Sequence, residues 1–330
     1  MARVLVTGVG GPAGQAVLRS LLRRGDDVWG ADMDGWAAGL YLVPADRRRT
    51  VPPGRAPEFV DELRDLCAAE GIEVLVPTVD AELVPLAHRR DELLAVGTVL
   101  ATPPAEVLEL ALDKAALAER CAPLLRVPTT RVLDARALDA PWDFPVIVKP
   151  RSGSGSRGVR VVPDAGALRE IGVDTSLIVQ ELLPGEEYSV DVLADAGSHV
   201  VAAVPRTRTR VDSGVSIAGV TVQDAGLIAT ATAVAEAIGL VGVANVQLRR
   251  DTRGEPALLE VNPRFPGALP LTVAAGADLP ALAVDLALGR ELPATVPFRE
   301  LANVRFLEDV FVDPAEVLDT REAAHQDAAL

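Results

Sequence analysis

The chain has 330 residues, of which 49% are apolar and 24% are charged, a composition typical of a folded globular protein and not of a disordered one. The 47 acidic residues outnumber the 32 basic ones, and the net charge of −15 argues against sequence-independent binding to a nucleic-acid backbone. The length predicts more than one hydrophobic core. Two cysteines, Cys67 and Cys121, are too few for a disulfide framework or a four-cysteine zinc site, and we interpret both as buried apolar side chains.

The chain shows no targeting pattern. Residues 1–6 run directly into a strand pattern, without the apolar core and cleavage site of a signal peptide. The most apolar long stretch, Leu269–Gly289, is interrupted by Asp278, Asp285 and two prolines, which makes it a poor membrane span. We therefore expect a soluble, cytoplasmic protein that has no membrane or nucleic-acid partner.

The first hundred residues alternate strand and helix patterns. Repeated βα units of this kind predict a parallel sheet with helices on both of its faces. The predicted strands are Val4–Val6, Val28–Ala31 and Val74–Val76, and the predicted helices are Gln15–Arg24 and Pro57–Glu70.

The remainder of the chain predicts helices over Thr102–Pro123, then a mixed pattern with an antiparallel strand pair. The last ten residues have no pattern and are expected to fray. The predicted strands are Val146–Val148, Val159–Val162, Leu177–Gln180, Tyr188–Leu193, Val200–Val204, Val243–Leu248 and Ala257–Val261, and a helix is predicted over Leu227–Ile238.

A glycine-rich turn follows the first predicted strand. Gly8, Gly11 and Gly14 open a helix, and Asp32 ends the next strand, which is close to a dinucleotide-binding fingerprint. The spacing is that of a short-chain dehydrogenase, which also needs a tyrosine followed four residues later by a lysine. Ala45 follows Tyr41 and Val192 follows Tyr188 at that distance, so the catalytic pair is missing. Such turns also serve tight helix–strand packing, and an NAD(P)-dependent oxidoreductase is kept only as an alternative.

The two lysines are the most unusual feature of the composition. Thirty of the 32 basic residues are arginine, so Lys114 and Lys149 stand apart from the residue type that this chain uses for surface charge. A compact ammonium and a planar guanidinium are not equivalent as phosphate ligands. Lys149 closes a predicted strand, where its ammonium can reach a phosphate. The alternative interpretation for either lysine is a structural salt bridge.

An ordered set of motifs resembles the ATP-grasp superfamily, most closely its branch that is similar to the large subunit of carbamoyl phosphate synthase and to the pyrrolysine-pathway ligase. Each motif is weak by itself, but the ordered set is specific and covers nearly the whole chain. The segments are Asp113–Lys114, Phe144–Pro150, Gly153–Val159, Gln180–Glu181, Gly185–Tyr188, Asn245–Gln247 and Glu260–Arg264, with the N-terminal glycine turn and Pro77–Leu83 similar to the pre-ATP-grasp domain of that branch.

The resemblance implies an α/β fold in four parts. We expect a Rossmann-like pre-ATP-grasp domain over residues 1–105 and a small ATP-grasp subdomain with linker helices over 106–184. The C-terminal ATP-grasp subdomain then covers 185–300, and a C-terminal extension covers 301–330.

The resemblance also implies an ATP site. The loop Arg151–Gly158, with its glycines and hydroxyls, is expected to fold over the phosphates as a lid, although a plain linker has the same composition. In related enzymes the segment after Gln180 hydrogen-bonds adenine, and Glu187 corresponds to the ribose ligand. The residues assigned to ATP are Lys114, Lys149, Ser154, Gly155, Ser156, Arg157, Gly158, Gln180, Glu181, Leu182 and Glu187.

Gln247, Glu260 and Asn262 are the predicted metal ligands. Glu260 and Asn262 are two residues apart, so both side chains point to the same face of a strand. Their hard oxygen ligands suit Mg²⁺ that completes its shell with water and ATP phosphates. We expect two Mg²⁺ ions, with Mn²⁺ as a possible substitute. Gln247 stands where other branches carry a carboxylate, which favours the carbamoyl-phosphate-synthase-like branch.

Arginines are the candidates for substrate binding and catalysis. Arg264 lies two residues beyond Asn262 and is expected to face the transferred phosphoryl group, with Lys149 as its catalytic partner. Arg206, Arg208 and Arg210 alternate after a strand end, which places all three on one side if the strand continues, and Arg206 and Arg208 are assigned to the substrate carboxylate. The alternative is a solvated edge strand whose charges block aggregation. Asp80 and Glu82 are assigned to a substrate ammonium. Gly267 is also assigned to the substrate site.

Together these features predict an ATP-dependent carboxylate–amine ligase. ATP phosphorylates a carboxylate, and an amine then displaces phosphate from the acyl-phosphate to form an amide or peptide bond. The substrates are expected to be amino-acid-like small molecules, and a homodimer is possible. A non-catalytic nucleotide-binding protein is the second alternative beside the oxidoreductase.

Overall fold

The computed structural model describes residues 1–153, 155, 157–212 and 214–321. The expected α/β architecture is confirmed over these residues, with one parallel sheet followed by antiparallel sheets. Ser154 and Ser156 lie outside the described residues. So do positions 322–330, on which most of the predicted fraying falls.

The N-terminal domain is a five-stranded parallel sheet in the order β3-β2-β1-β4-β5. Its strands are β1 Arg3–Thr7, β2 Asp27–Asp32, β3 Arg48–Thr50, β4 Val74–Val76 and β5 Val99–Leu100. Its helices are α1 Pro12–Arg24, α2 Phe59–Glu70, α3 Asp80–His88 and α4 Arg90–Ala95, with short 3₁₀ turns at Ala38–Leu42 and Ala45–Arg47.

Side-chain alternation along β1 builds a core on each face of this sheet. Val4 and Val6 pack with α1, whereas Leu5 points to the opposite face and packs with Phe59 and Leu63 of α2. Helices therefore cover both faces, as the βα pattern predicts.

The second part of the chain forms a four-stranded antiparallel sheet in the order β6-β9-β7-β8. It carries its own small core between the sheet and two short helices. The strands are β6 Thr130–Leu133, β7 Val146–Pro150, β8 Arg160–Val162 and β9 Asp174–Glu181, and the helices of this part are α5 Ala105–Leu112, α6 Lys114–Cys121, α7 Ala135–Leu138 and α8 Ala165–Ile171.

The third part contains a four-stranded antiparallel sheet, β11-β10-β14-β15, and a three-stranded sheet, β12-β13-β16. The strands are β10 Glu187–Ala194, β11 Val200–Thr207, β12 Arg210–Asp212, β13 Val215–Val220, β14 Gly242–Arg250, β15 Pro256–Asn262 and β16 Ala302–Val304. The helices are α9 Ala225–Ile238, α10 Leu269–Ala275 and α11 Leu279–Ala287, followed by a 3₁₀ turn at Pro314–Glu316.

The four-stranded sheet of this third part is covered on both faces. Val190 and Val192 of β10 face a core formed with α5, α6 and α9. Leu193 points to the other face, where the sheet shares a core with α1, α10 and α11. The N-terminal domain is therefore packed directly against the subdomain that carries the Glu-x-Asn-x-Arg motif.

The C-terminal segment links the two parts that share this core. β16 pairs with β13, and further along the chain Thr320 and Arg321 contact Asp34 and Glu62 of the N-terminal domain. Among the described residues no single helix has the length and apolar composition to cross a membrane, and α10 and α11 meet that test only as a pair bent by 90°.

Candidate active site

The two lysines meet one carboxylate in a cavity between the sheets that contain β7 and β15. Lys149 lies near the end of β7 and Lys114 opens α6, and each side chain is 8% exposed. The Lys114 Nζ is 3.6 Å from Glu260 Oε2 and donates to the Gly153 carbonyl at 2.6 Å. Burial lowers the pKa of Lys149 to about 8, with Glu260 opposing the shift and Lys114 adding to it. This site concentrates positive charge where water is excluded.

The segment after β9 and two apolar side chains line part of the same cavity. Gln180, Glu181 and Leu182 line it together with the apolar side chains of Ile147 and Leu259. The carboxylate of Glu181 is already engaged, because it accepts from the Arg126 guanidinium at 2.5 Å and from the Thr129 N–H at 3.0 Å. Only backbone groups and apolar surface of this segment are left to face a planar ligand.

Glu187 also lines the cavity, where its Oε1 is 2.8 Å from the Arg208 Nε. Arg208 in turn donates to Ser189 Oγ and to the Gly214 carbonyl. Arg208 thus connects the predicted ribose ligand to the turn between β12 and β13. All three guanidinium nitrogens of Arg208 have a protein partner.

The loop after β7 is anchored at its base and reaches across the cavities at its tip. Arg151 makes a bidentate ion pair with Asp113, the residue that caps α6. Gly155 comes so close to Gly214 that a Cβ on Gly214 would lie 2.7 Å from the Gly155 Cα. Arg157 lines both the lysine cavity and the adjoining cavity. Gly158 has a φ of 72° and packs against Pro150, outside either cavity lining.

The three predicted metal ligands do lie together. Gln247 and Glu260 are directly opposite each other on β14 and β15, and Asn262 follows on the same face. Asn262 Nδ2 donates to Glu260 Oε1 at 3.3 Å, which leaves the amide oxygen free to face the cavity. One carboxylate and two amide oxygens fit Mg²⁺, which binds few protein oxygens and fills its shell with water and phosphate. Among the described residues no cluster of three or more His, Cys, Asp or Glu side chains forms another metal site.

Arg206, Arg208 and Arg210 do not lie along one continuous strand, but Arg206 and Arg208, the two that were assigned to the substrate carboxylate, both line the adjoining cavity. The strand does not continue through Arg210: β11 ends at Thr207 and β12 begins at Arg210, whose side chain is exposed. Arg206 is instead buried, with its Nε and Nη2 paired to the two oxygens of Asp191 at 3.1 and 3.0 Å. Its Nη1 is buried without a hydrogen-bond partner among the described residues. The break between β11 and β12, which periodicity does not reveal, leaves Arg210 out of the lining of that cavity.

Arg264 follows β15 and connects this strand to the N-terminal domain. Its Nε and Nη2 bind Asp80 at 2.5 and 3.1 Å across 184 residues of sequence. Asp80 is therefore engaged by a guanidinium, a pairing that the assignment to a substrate ammonium did not anticipate. Glu82 is buried and accepts from Thr7 Oγ1 at 2.6 Å, and burial raises the pKa of its carboxyl to about 7. A carboxyl that titrates near neutrality is a weak ammonium ligand.

The glycine turn is closed by its own hydrogen bonds. Asp32 Oδ2 accepts from the Gly10 N–H at 2.7 Å, and Gly11 N–H donates to the Gly8 carbonyl. A Cβ on Gly14 would lie 2.3 Å from the Gly8 carbonyl oxygen. The acidic residue and the glycines thus serve close packing of β1 against α1, and the oxidoreductase alternative has no support.

Four residues of the site were given no role from the sequence: Asp191, Asn245, Thr272 and Arg305. Asp191, the only charged residue in the apolar strand pattern Tyr188–Leu193, accepts from Asn245 Nδ2 at 2.6 Å and from Thr272 Oγ1 at 2.5 Å in addition to Arg206. Arg305 donates to the Gly267 carbonyl at 2.8 Å from the C-terminal segment. A lone acid inside an apolar strand was a signal for Asp191, whereas nothing local marks Arg305.

Two family models match the chain. Residues 174–310 match an ATP-grasp family described as "ATP-grasp in the biosynthetic pathway with Ter operon", and residues 4–101 match the family "PylC-like, N-terminal domain". The order of these domains is the one that the motifs indicate. Each model covers less than half of the chain, and together they span the N-terminal domain and most of the C-terminal half.

Individual proteins are similar to this chain over different shares of its length. Carnosine synthase 1 of Gallus gallus is 31% identical over 186 residues, 47% of this chain and 20% of that protein. A D-alanine–D-alanine ligase of Nitrosococcus oceani is 28% identical over 76% of this chain and 77% of that protein. The structure of a biotin carboxylase from Campylobacter jejuni, a complex with β,γ-ATP, covers 90% of this chain and 74% of that chain at 17% identity with a TM-score of 0.76. The ATP-grasp fold is therefore present, and the chain spans about a fifth of the length of carnosine synthase.

Proposed function

We propose that this ATP-grasp protein is an ATP-dependent carboxylate–amine ligase that acts on amino-acid-like substrates and releases ADP. The observation that carries the proposal is the meeting of Lys114 and Lys149 with Glu260, in a cavity that continues into a second one lined by arginines. Arg157, Gln247 and Glu260 line both cavities, so a nucleotide in the first presents its terminal phosphate to a substrate in the second.

The residues support each step of this chemistry. An oxygen of the substrate carboxylate attacks the γ-phosphorus and ADP leaves, and the cationic groups stabilise the charge that spreads over the phosphoryl oxygens. Arg206 and Arg264 face the acyl-phosphate, and the unpaired Arg206 Nη1 is a donor held ready for an oxygen. The amine nitrogen then attacks the acyl carbon, inorganic phosphate leaves, and the nitrogen loses its proton to solvent.

We assign the remaining roles on the same geometry. The backbone after Gln180 binds adenine, Glu187 binds ribose, and Glu260 with Asn262 and Gln247 holds magnesium, which supplies positive charge to the phosphates. Two ions are proposed, and Mn²⁺ accepts the same oxygen ligands. A homodimer is proposed on the exposed apolar side chains of the C-terminal segment, among them Phe306, Leu307 and Phe311.

ADP release measured with hydroxylamine as the amine tests the proposal without knowledge of the natural amine. Hydroxylamine captures any acyl-phosphate as a hydroxamate, so each carboxylate can be screened alone. We expect ADP and hydroxamate in equal amounts for at least one amino acid. Lys149→Ala should abolish both, and Arg210→Ala, which alters an exposed arginine of the next strand, is the matched control. ADP release without hydroxamate, or no release with any carboxylate, would contradict the proposal.

A further inference from the structure

A third cavity, of about 570 Å³, lies in the N-terminal domain next to the reaction centre. It is bounded by the glycine turn, the start of α1, the end of β2, the loop at residues 52–55 and the start of α3. Val215, Arg264 and Gly267 line this cavity and also the arginine cavity, so the two spaces meet at these residues. Of the residues given a role in the proposed function, only Arg264 lines this cavity.

Apolar groups form most of this wall. Each carboxylate that lines it accepts a hydrogen bond from the protein: Asp32 from the Gly10 N–H, Asp80 from Arg264 and Glu82 from Thr7. Arg55 is exposed, so its charge stays in water at the rim. The apolar wall consists of Pro12, Ala13, Met33, Pro52, Pro53, Val79, Ala81 and Val215. A charged group placed against this wall would lose part of its hydration, and it would have to compete with the hydrogen bonds that already engage these carboxylates.

Gly267 lies where the two cavities meet. A Cβ built there would lie 2.7 Å from Val215 Cγ1 and 3.1 Å from Pro12 Cγ, so even a methyl group is too large. Gly267 is not among the glycines with positive φ, and space alone therefore explains the glycine. Arg305 fixes its position through the carbonyl hydrogen bond. Gly267, Val215 and Pro12 are thus closely packed where the two cavities meet, and a larger residue at position 267 would displace this part of the wall.

We propose that the N-terminal cavity binds the side chain of the carboxylate substrate, that this side chain is uncharged and larger than a methyl group, and that Gly267 and Val215 shape the wall that it contacts where the two cavities meet. The proposal rests on the proposed ligase function. With the carboxylate held near Arg206 and Arg264, the substrate carbon chain extends past Gly267 into the apolar space.

The hydroxylamine assay tests this with alanine, 2-aminobutyrate, norvaline and norleucine, a series that grows by one methylene at a time. We expect kcat/KM to rise by about fourfold for each methylene that enters the cavity. Lysine, which is norleucine with a terminal ammonium, should be at least tenfold poorer than norleucine. A flat or falling series, or lysine or glutamate better than norleucine, would overturn the proposal.

Variants of this part of the wall give a second readout. Gly267→Ala should reduce the ratio of kcat/KM for norleucine to that for alanine at least tenfold, and the added change Val215→Ala should restore it. ATP affinity verifies that each variant is folded. If Gly267→Ala does not fold, Met33→Trp fills the same cavity from the end of β2 and should lower the same ratio. An unchanged ratio in the folded variants would overturn the proposal, whereas absence of ADP release with every carboxylate in the native protein would instead remove the ligase function on which it rests.

Discussion

Lys149 must satisfy two opposing demands. Burial stabilises its neutral amine and lowers its pKa to about 8, whereas a phosphate ligand has to carry a positive charge. Near pH 7 the ammonium still predominates, and Glu260 and Glu187 help to retain its proton. A bound triphosphate would stabilise the charge further, so nucleotide binding and protonation of Lys149 are coupled.

This coupling predicts a pH-dependent affinity. Because the neutral amine of the free protein must take up a proton to bind phosphate, the Kd for Mg-ATP should rise above pH 8, by up to about thirtyfold at pH 9.5. Isothermal titration calorimetry measures it. Lys149→Arg, which stays charged throughout, should bind with a Kd that does not change over this range. A flat profile in the native protein would contradict the phosphate role.

Glu260 lies between the lysines and the predicted magnesium ligands. Glu260→Gln keeps the shape of the side chain but removes the charge that Mg²⁺ and Lys114 both face. We expect turnover to fall at least a hundredfold at low Mg²⁺ and to recover in part at high Mg²⁺, with the thermal midpoint shifted only slightly. Glu236→Gln, the same change at an exposed glutamate of α9, is the matched control. Native turnover of Glu260→Gln at low Mg²⁺ would show that the metal lies elsewhere.

At the scale of elements, the β1–α1 turn looks like a nucleotide site in sequence and is a packing device in the structure. Gly14 lets α1 approach the Gly8 carbonyl. Asp32 accepts a hydrogen bond from the Gly10 N–H, whereas the acid of a dinucleotide site accepts one from a ribose hydroxyl. The same glycine spacing serves both purposes, and only the hydrogen-bond partners distinguish them.

Two alanine substitutions in this turn separate packing from ligand binding. Gly14→Ala places a Cβ 2.3 Å from the Gly8 oxygen and should cost about 2–3 kcal/mol of unfolding free energy. Gly11→Ala meets that oxygen only at 3.6 Å and should cost no more than about 1 kcal/mol. Urea denaturation measures both. Equal costs would contradict the packing interpretation.

The order of elements and the shared face of Glu260 and Asn262 could be predicted from the sequence because both follow from local patterns. Two-residue spacing puts Glu260 and Asn262 on one face whatever the tertiary fold. The burial of Arg206 and its ion pair could not be predicted, since they depend on where β11 ends and on Asp191 of the neighbouring strand. The Asp80–Arg264 pair and the Arg305–Gly267 contact join distant segments, and no local pattern encodes such meetings.

At the scale of the whole molecule, the hydrophobic cores show which parts of the chain pack together and are expected to unfold together. The N-terminal domain and the four-stranded sheet β11-β10-β14-β15 share one core through α1, α10 and α11. The sheet β6-β9-β7-β8 has a separate, smaller core. The nucleotide cavity lies where this smaller unit faces the larger one.

Single-tryptophan variants test this coupling. Trp29 reports on the N-terminal domain and Trp142 packs against the core of the smaller sheet. With the other tryptophans replaced by phenylalanine, we expect Trp142 fluorescence to change at a lower urea concentration than Trp29 fluorescence. Mg-ATP should raise the Trp142 midpoint, because ligand binding stabilises the unit that it contacts. Coincident transitions without ATP would contradict two separate units.

Transfer of oxygen from substrate to phosphate tests the central claim most directly. An acyl-phosphate forms only if a carboxylate oxygen attacks the γ-phosphorus, and that oxygen then leaves with inorganic phosphate when the amine attacks. With a carboxylate labelled with ¹⁸O, mass spectrometry should find one ¹⁸O in each phosphate released, in equal amount to ADP. Phosphate that carries no label, or release of AMP and pyrophosphate, would contradict the account.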